Sequence, residues 1–335
     1  MNTIKQRIFY LDFIRAIATI LIIVWHFNSS LRENYISQNG ILHPYNANGY
    51  MGEIGVSLFF IISGVVLMKT YEEKLDIKEY LKRRFIAIYP MFWIAYSSAL
   101  LYFFYINKSI NHDIPKSRIL LSFLGLDGYL LPIIPNFYIL GEWFLGCIII
   151  FYLCFPILRI LLIKWPKLLL GSIFIYYIIV VSTYNSTIPI DWNILTRIFD
   201  IVLGMYFFKY IKKVHNYQFV IALIVSAIML YVPININHMY EITITGSALF
   251  IVLSYLGQQI TQNKVKSLFT LISKYSYAVF LTHHVVINQI QRRFVGIEST
   301  KTEMYFLLLI SIIVIAIMSN VLYRINKNVI SYIKK

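Results

Sequence analysis

Apolar segments of about 20 residues recur along nearly the whole chain, and a helix needs that length to cross roughly 30 Å of hydrocarbon. Hydrophobic residues make up 59% of the 335 residues and charged residues only 13%, whereas soluble domains average about 25% charged residues. The sequence therefore predicts an all-α integral membrane protein, residues 1–335 forming one polytopic domain. We predict about ten transmembrane helices, near residues 10–28, 54–70, 85–106, 138–161, 166–184, 192–210, 217–235, 241–261, 272–290 and 304–324.

The distribution of Lys and Arg between alternating loops predicts the orientation. If both termini are cytoplasmic, the inner segments hold 21 of the 30 Lys and Arg residues and the outer loops hold 7. Positive residues near helix ends favour the cytoplasmic side, so we predict an N-in, C-in topology. The formal net charge of +15 is then explained by anionic membrane lipids, without a nucleic-acid partner. Residues 117–135, interrupted by Gly and Pro, are predicted to be interfacial or re-entrant.

The first apolar segment, "LDFIRAIATILIIVWHF", contains the ionisable residues Asp12, Arg15 and His26. On a helix, Arg15 and His26 project within about 20° of each other and lie roughly 16 Å apart. An ionisable group in hydrocarbon costs several kcal/mol and by default faces a polar interior. This stripe predicts a functional pathway, with Arg15 toward the cytoplasm and His26 in the outer third. The alternative is an interfacial Asp12–Arg15 ion pair and a His26 side chain bonded to a neighbouring helix.

Other predicted helices supply partners for His26. Glu142 stands at the outer start of the fourth segment, and His283 and His284 stand midway along the ninth. Arg197 and Asp200, three residues apart in the sixth segment, are predicted to form a structural ion pair.

A basic cluster, Lys82-Arg83-Arg84, abuts the predicted cytoplasmic surface. It is either an ordinary membrane anchor or a site that binds the phosphates of a cytosolic cofactor, for which the fork of Arg donors is suited. Coenzyme A, with phosphates at one end and a thioester at the other, is one such cofactor. No Cys/His spacing typical of a metal site occurs in the sequence, so no metal is expected.

Five motifs occur in a characteristic order: "LDFIR" followed by His26, "GEIGVSLFFIISG" at 52–64, "LKRRFIAIYP" at 81–90, "EWFLGCIIIFYLCFP" at 142–156 and "SYAVFLTHHVV" at 276–286. Together they resemble the membrane-bound acyltransferase-3 family, multi-span enzymes that O-acylate bacterial surface carbohydrates and related cell-envelope molecules. The resemblance covers nearly the whole chain.

The resemblance implies a ten-helix O-acyltransferase in a bacterial plasma membrane. It would use a cytosolic acyl-CoA, usually acetyl-CoA, to acylate an envelope carbohydrate at or beyond the outer face. His26 matches the catalytic histidine of the first helix, and His283 matches the histidine of the late motif, which favours it over His284. The matching donor-binding residues are Arg15, Arg83 and Arg84, to which we add the neighbouring Lys82.

The sequence departs from the family pattern at three positions. Ser57 stands where many relatives have an acidic residue, and Ala87 stands where an arginine often precedes Ile-Tyr-Pro. The fourth motif often contains Trp-Ser-Leu with a following Glu, whereas here Glu142 precedes Trp143. We assign Glu142 with His26 and His283 to catalysis, and Trp143, suited to stacking on a sugar, with Ser57 to acceptor binding.

Two chemical routes and two other functions stay open at this point. His26 would take a proton from the acceptor hydroxyl as that oxygen attacks the thioester, or would itself carry the acyl group. A transporter or flippase for an envelope glycan precursor also has intramembrane charges. A structural subunit of a polysaccharide-synthesis complex would explain the hydrophobicity but not the stripe. The oligomeric state and the identity of the acceptor do not follow from the sequence.

Overall fold

A computed structural model of the chain describes residues 8–41, 51–108, 113–140 and 143–333. Within these ranges the chain is helical and contains no β-strand, which confirms the predicted all-α class there. The α-helices are α1 (Phe9–Glu33), α2 (Met51–Tyr71), α3 (Ile77–Asn107), α4 (Ile119–Phe123), α5 (Asp127–Leu130), α6 (Trp143–Lys164), α7 (Pro166–Ser182), α8 (Ile194–Tyr206), α9 (Asn216–Tyr231), α10 (His238–Gln259), α11 (Asn263–Gln291) and α12 (Lys301–Ile333).

Six of the described helices are long and apolar enough to cross a membrane: α1, α2, α3, α6, α10 and α12. Helices α7 and α9 are apolar but shorter, and the predicted segments at 192–210 and 272–290 overlap α8 and α11. Large apolar side chains on α7, α9 and α12 are exposed, among them Leu168 at 68% and Ile317 at 57%. Such surfaces require lipid rather than water. The chain is therefore a multi-pass membrane protein with six candidate spans in its described part.

The segment predicted to be interfacial or re-entrant forms only short helices. Helix α4 has five residues and α5 has four, whereas a span needs about 20. Gly125 lies between them with a φ of 70°, a conformation that glycine adopts without steric cost. The prediction that this segment is not a continuous spanning helix is confirmed.

The chain divides into two compact units, each described here by itself. The first comprises the described parts of Met1–Ile22, Pro44–Asp76 and Ile148–Lys274. The second comprises the described parts of Ile23–His43, Ile77–Cys147 and Tyr275–Lys335.

In the first unit, α2 and α8 pack backbone against backbone through two glycines. A Cβ on Gly64 would lie 2.1 Å from the carbonyl oxygen of Ile201, and one on Gly204 would lie 2.0 Å from that of Ile61. Small residues permit this close approach of membrane helices. Ser57 on α2 accepts a hydrogen bond from Arg197 on α8, and Gly64 lies beside the Met205 backbone. These contacting residue numbers increase together along both helices, so α2 and α8 run in the same direction.

In the second unit, the last turns of α1 pack against α11 and α12. Phe27, Leu31, Ile287 and Met304 belong to one buried apolar cluster. Gln291 ties α11 to α1 because its Nε2 donates a hydrogen bond of 3.1 Å to the carbonyl oxygen of Phe27. This packing places the end of α1 that carries His26 against the histidines of α11.

Candidate functional site

Three histidines form the centre of the candidate site in the second unit. The ring centroid of His26 lies 4.8 Å from that of His283 and 5.1 Å from that of His284. His26 and His284 are half-buried, whereas His283 is only 1% exposed. The structure therefore brings the predicted catalytic residues His26 and His283 together and adds His284 as a second neighbour.

The hydrogen bonds of His283 determine which of its nitrogens carries the proton. Its Nδ1 lies 3.1 Å from the carbonyl oxygen of Val279 and 2.9 Å from that of Phe280. A carbonyl oxygen only accepts hydrogen bonds, so Nδ1 is the protonated nitrogen. In the neutral ring Nε2 therefore carries the lone pair and acts as an acceptor or a base.

A cavity of about 380 Å³ adjoins this cluster. His284 lines it together with Asn288, Gln289 and Arg292, which lie at and just beyond the end of α11. Phe103, on α3, adds an aromatic wall. Volumes of this order are typical of small-molecule sites. Sequence reasoning missed the cavity and favoured His283 over His284. The signal available was the four-residue spacing of 284, 288 and 292, which places polar side chains on one helical face.

Trp143 stands at the start of α6 and is half-buried. Its ring centroid lies 6.4 Å from that of Phe144, which lies 5.4 Å from that of Phe280. The Phe280 ring lies 6.3 Å from that of His283, so aromatic contacts lead from Trp143 to the histidine cluster. Glu142, predicted to act in catalysis, lies outside the described residues.

Asn136 connects the cavity to the interfacial segment. It lines the cavity, and its Nδ2 donates a hydrogen bond of 2.9 Å to the backbone oxygen of Asp127. Asp127 is buried, with 7% of its surface exposed, and burial raises the pKa of its carboxyl group to about 6. The charge of this carboxyl group therefore changes within the mildly acidic range.

The basic residues predicted to bind the donor lie in the first turns of α3. Lys82 and Arg83 are exposed, and Arg84 is half-buried. Arg83 Nε lies 2.8 Å from a carboxylate oxygen of Glu79, one helical turn earlier. Exposed pairs of this kind contribute roughly 0–1 kcal/mol, so the pair does not prevent Arg83 from binding another anion.

Arg15 belongs to a polar group in the first unit. Its Nη1 lies 3.6 Å from Asp12 Oδ1 and donates a hydrogen bond of 3.2 Å to Ser273 Oγ. The Ser273 hydroxyl in turn donates to Asp12 Oδ1 at 2.8 Å. The Asp12–Arg15 ion pair, one of the two interpretations of this stripe, is present, and the Arg15 side chain retains 27% exposure.

The first unit also contains an enclosed arginine. Arg197 Nη1 lies 3.4 Å from Asp200 Oδ2, and both side chains have no exposed surface, so the predicted ion pair is confirmed. The same Nη1 donates a hydrogen bond of 2.8 Å to Ser57 Oγ, and Nε donates one of 2.7 Å to the backbone oxygen of Asp191. Ser57, predicted to bind the acceptor, is itself 0% exposed and is closed off from ligands in this conformation.

The comparison with protein families identifies one family over nearly the whole chain. A model of the acyltransferase-3 family, described as an acyltransferase domain, matches residues 8–323. The match includes the histidine cluster and the basic residues of α3. It supports membrane-bound acyl transfer to acceptors of the carbohydrate kind. Comparison with curated proteins found no match, and comparison with solved structures found none. The matched range covers nearly the whole chain, which therefore belongs to the acyltransferase-3 family.

Proposed function

We propose that this protein transfers an acyl group, in the simplest case acetyl, from a cytosolic acyl-CoA to a hydroxyl of a cell-envelope carbohydrate. The acceptor would be an exopolysaccharide, a cell-wall glycan or a lipid-linked sugar at the outer face of a bacterial plasma membrane. The observation that carries the proposal is the contact of His26 with His283 and His284 beside a cavity of about 380 Å³.

His26 is the general base in this proposal. It takes the proton from the acceptor hydroxyl as that oxygen attacks the thioester carbonyl. The new ester C–O bond forms, the C–S bond breaks, and the leaving thiolate of coenzyme A receives the proton from the imidazolium. A relay through an acyl-histidine is the alternative route, since histidine also acts as a nucleophile.

His283 is a positioning residue in this scheme. Its Nε2 carries the lone pair because Nδ1 donates to backbone carbonyl oxygens. We propose that this lone pair accepts a hydrogen bond from an N–H of His26, whose ring centroid lies 4.8 Å away, and so orients the base. Glu142 is proposed as a further acidic group of the site, and Trp143 is proposed to stack on a sugar ring.

The donor is proposed to bind through its phosphates. Lys82, Arg83 and Arg84 form the basic cluster on α3, of which Lys82 and Arg83 are open to solvent. Arg guanidinium groups bind phosphate oxygens through two parallel hydrogen bonds. Arg15, held by Asp12 and Ser273 but 27% exposed, is proposed as an additional donor contact.

About ten spans with both termini inside are proposed for the whole chain. The parallel packing of α2 and α8 supports this arrangement, because in a ten-span topology the second and sixth spans both run from outside to inside. The excess of Lys and Arg in the proposed inner segments supports the same orientation.

The test is release of coenzyme A from acetyl-CoA by membranes that carry the protein, with and without envelope polysaccharide from the same organism. We expect acceptor-dependent release, and we expect His26→Ala to lower it about 100-fold or more. His215→Ala is the matched control, because His215 is an exposed histidine at the start of α9.

Three results would contradict parts of this proposal. Release that persists in His26→Ala would assign the base to another residue, with His283 next. Release only from succinyl-CoA would exclude acetyl as the group transferred. No release from folded protein with either donor would exclude the transferase and favour a glycan transporter.

A further inference from the structure

The end of α11 presents hydrogen-bond donors to the cavity. Asn288 and Gln289, in the last turn of α11, and Arg292, in the 3₁₀ turn that follows, all line it. Asn288 lies one turn beyond His284, which lines the same cavity. What these side chains offer a ligand depends on how their amide groups are oriented.

The orientation of the Asn288 amide follows from two hydrogen bonds of Ser30. The Ser30 hydroxyl accepts a hydrogen bond of 3.1 Å from Asn34 Nδ2. Its own proton is then donated to Asn288 Oδ1, also at 3.1 Å. The amide oxygen of Asn288 is therefore occupied by α1, which leaves the NH₂ group as the part available to a ligand.

The Gln289 amide has the same arrangement. The Tyr102 hydroxyl donates a hydrogen bond of 3.2 Å to Gln289 Oε1. Gln289 Nε2 is buried and has no hydrogen-bond partner among the residues that the structure describes. A buried amide donor without an acceptor costs free energy, so a ligand oxygen that reaches Nε2 after rotation of the Gln289 side chain gains affinity.

Arg292 adds a positive charge at the edge of the cavity. It is exposed, and no ion pair or hydrogen bond engages it within the described part of the chain. The described lining of the cavity contains no Asp or Glu. The local charge is therefore positive. The lining also contains one acceptor, Asn136 Oδ1, which has no hydrogen-bond partner among the described residues, so a hydroxyl of the same ligand can donate there.

A neutral sugar hydroxyl both donates and accepts hydrogen bonds, whereas a carboxylate or phosphate only accepts them. We propose that this cavity is the acceptor site for an acidic carbohydrate, whose anionic group binds Asn288, Gln289 and Arg292. The anionic group then lies one helical turn from His284, and a neighbouring hydroxyl of the same saccharide faces the histidine cluster. The assignment as acceptor site rests on the proposed acyl transfer, but the anion-binding property does not.

The test measures binding, so that it does not depend on transfer. Purified protein in lipid nanodiscs is titrated calorimetrically with three probes of matched length: a hexuronate-containing tetrasaccharide, a glycerophosphate oligomer and a neutral tetrasaccharide. We expect at least one acidic probe to bind about fivefold more tightly than the neutral probe. Raising the salt concentration should abolish this preference, because salt screens an exposed cation.

Arg292→Gln should abolish the preference for the acidic probe, and Arg292→Lys should retain part of it because charge remains without the guanidinium fork. Arg293→Gln is the matched control: Arg293 is also exposed and follows directly in the chain, but it does not line the cavity. The proposal is overturned if the neutral probe binds as tightly as both acidic probes, if Arg292→Gln and Arg293→Gln behave alike, or if no acidic probe binds at about 10 mM.

The two acidic probes also distinguish the source of the anionic group. Binding of the hexuronate probe indicates a sugar carboxylate, and binding of the glycerophosphate probe indicates a phosphate in the glycan or its lipid linkage. If acidic probes bind but no coenzyme A is released with any acceptor, acyl transfer fails while the anion site stands. If acyl transfer occurs with equal KM on acidic and neutral acceptors, the assignment of this cavity as the acceptor site fails while the transferase stands.

Discussion

The enclosed Arg197 group of the first unit and the histidine group of the second are both polar clusters in an apolar protein. Arg197 has no exposed surface, and its Nη1 and Nε bond to Ser57, Asp200 and the Asp191 backbone. His26 is half-buried, and its neighbour His284 lines a cavity. The first cluster directs its hydrogen bonds to protein atoms. Beside the second, Asn288, Gln289 and Arg292 line a cavity.

This difference separates a structural role from a ligand-binding role. Burial alone does not make the distinction, since His283 is nearly as enclosed as Arg197. The distinction lies in where the hydrogen-bonding groups are directed. A polar cluster whose hydrogen bonds go to its own helices stabilises helix packing, whereas hydrogen-bond donors beside a cavity are available to bind a ligand.

The largest expected effect tests the structural side of this comparison. Arg197→Met should lower the free energy of unfolding by about 3–5 kcal/mol, because it leaves the Asp200 charge buried without its partner. Thermal unfolding in detergent, followed by helical circular dichroism, measures the change. The double variant Arg197→Met/Asp200→Leu should recover much of the loss, since it removes both charges.

Arg293→Met is the control for the Arg197 experiment, because its exposed side chain should change stability by no more than about 0.5 kcal/mol. Equal unfolding temperatures for Arg197→Met and the unchanged protein would contradict the structural role. In that case the enclosed arginine would have to be reconsidered as part of a functional site.

The next effect concerns Asp127, behind the cavity residue Asn136. Burial raises the pKa of Asp127 to about 6, above the usual value near 3.9, so protonation favours the folded state. This contribution is fully present below about pH 4 and is lost as the pH rises through 6, and in full it amounts to about 3 kcal/mol. The unfolding temperature should therefore decrease as the pH is raised from 4 to 7.

Asp127→Asn should remove the component, since an amide does not titrate, while its oxygen can still accept the hydrogen bond of 3.0 Å from the Gly128 N–H. A stability profile that is the same for both proteins between pH 4 and 7 would show that Asp127 is not held in a desolvated environment.

The smallest of the three effects tests the functional side of the comparison. His283→Asn should lower acyl transfer about tenfold, equal to about 1.4 kcal/mol, with little change in unfolding temperature. The asparagine NH₂ takes the place of Nδ1–H beside the Val279 and Phe280 carbonyl oxygens, but no atom takes the place of Nε2. Coenzyme A release and thermal unfolding are measured on the same preparation.

His283→Ala serves as the comparison, because it loses both the backbone hydrogen bonds and Nε2 and should be less stable as well as less active. If His283→Asn transfers acyl groups at the full rate, Nε2 has no part in orienting His26. A loss of stability without a loss of activity would show that His283, like Arg197, has a structural role.

Much of the fold and part of the site were predictable because they depend on local properties. Asp12 with Arg15 and Arg197 with Asp200 are three residues apart, and that spacing alone brings side chains together on a helix. The membrane class follows from the apolar segments themselves. The number of spans is less local: α8 has only 13 residues, and a five-residue π-helical segment, Phe207–Ile211, continues it.

The sequence by itself determined the helical membrane class, the two i,i+3 ion pairs and the family motifs that single out His26 and His283. Only the tertiary structure decided that His284 also contacts His26, and how the amide groups of Asn288 and Gln289, which line a cavity, are oriented. Those orientations depend on Ser30 and Tyr102, which belong to other helices. Helical periodicity specifies neighbours within one helix, whereas contacts between helices form only when the chain packs.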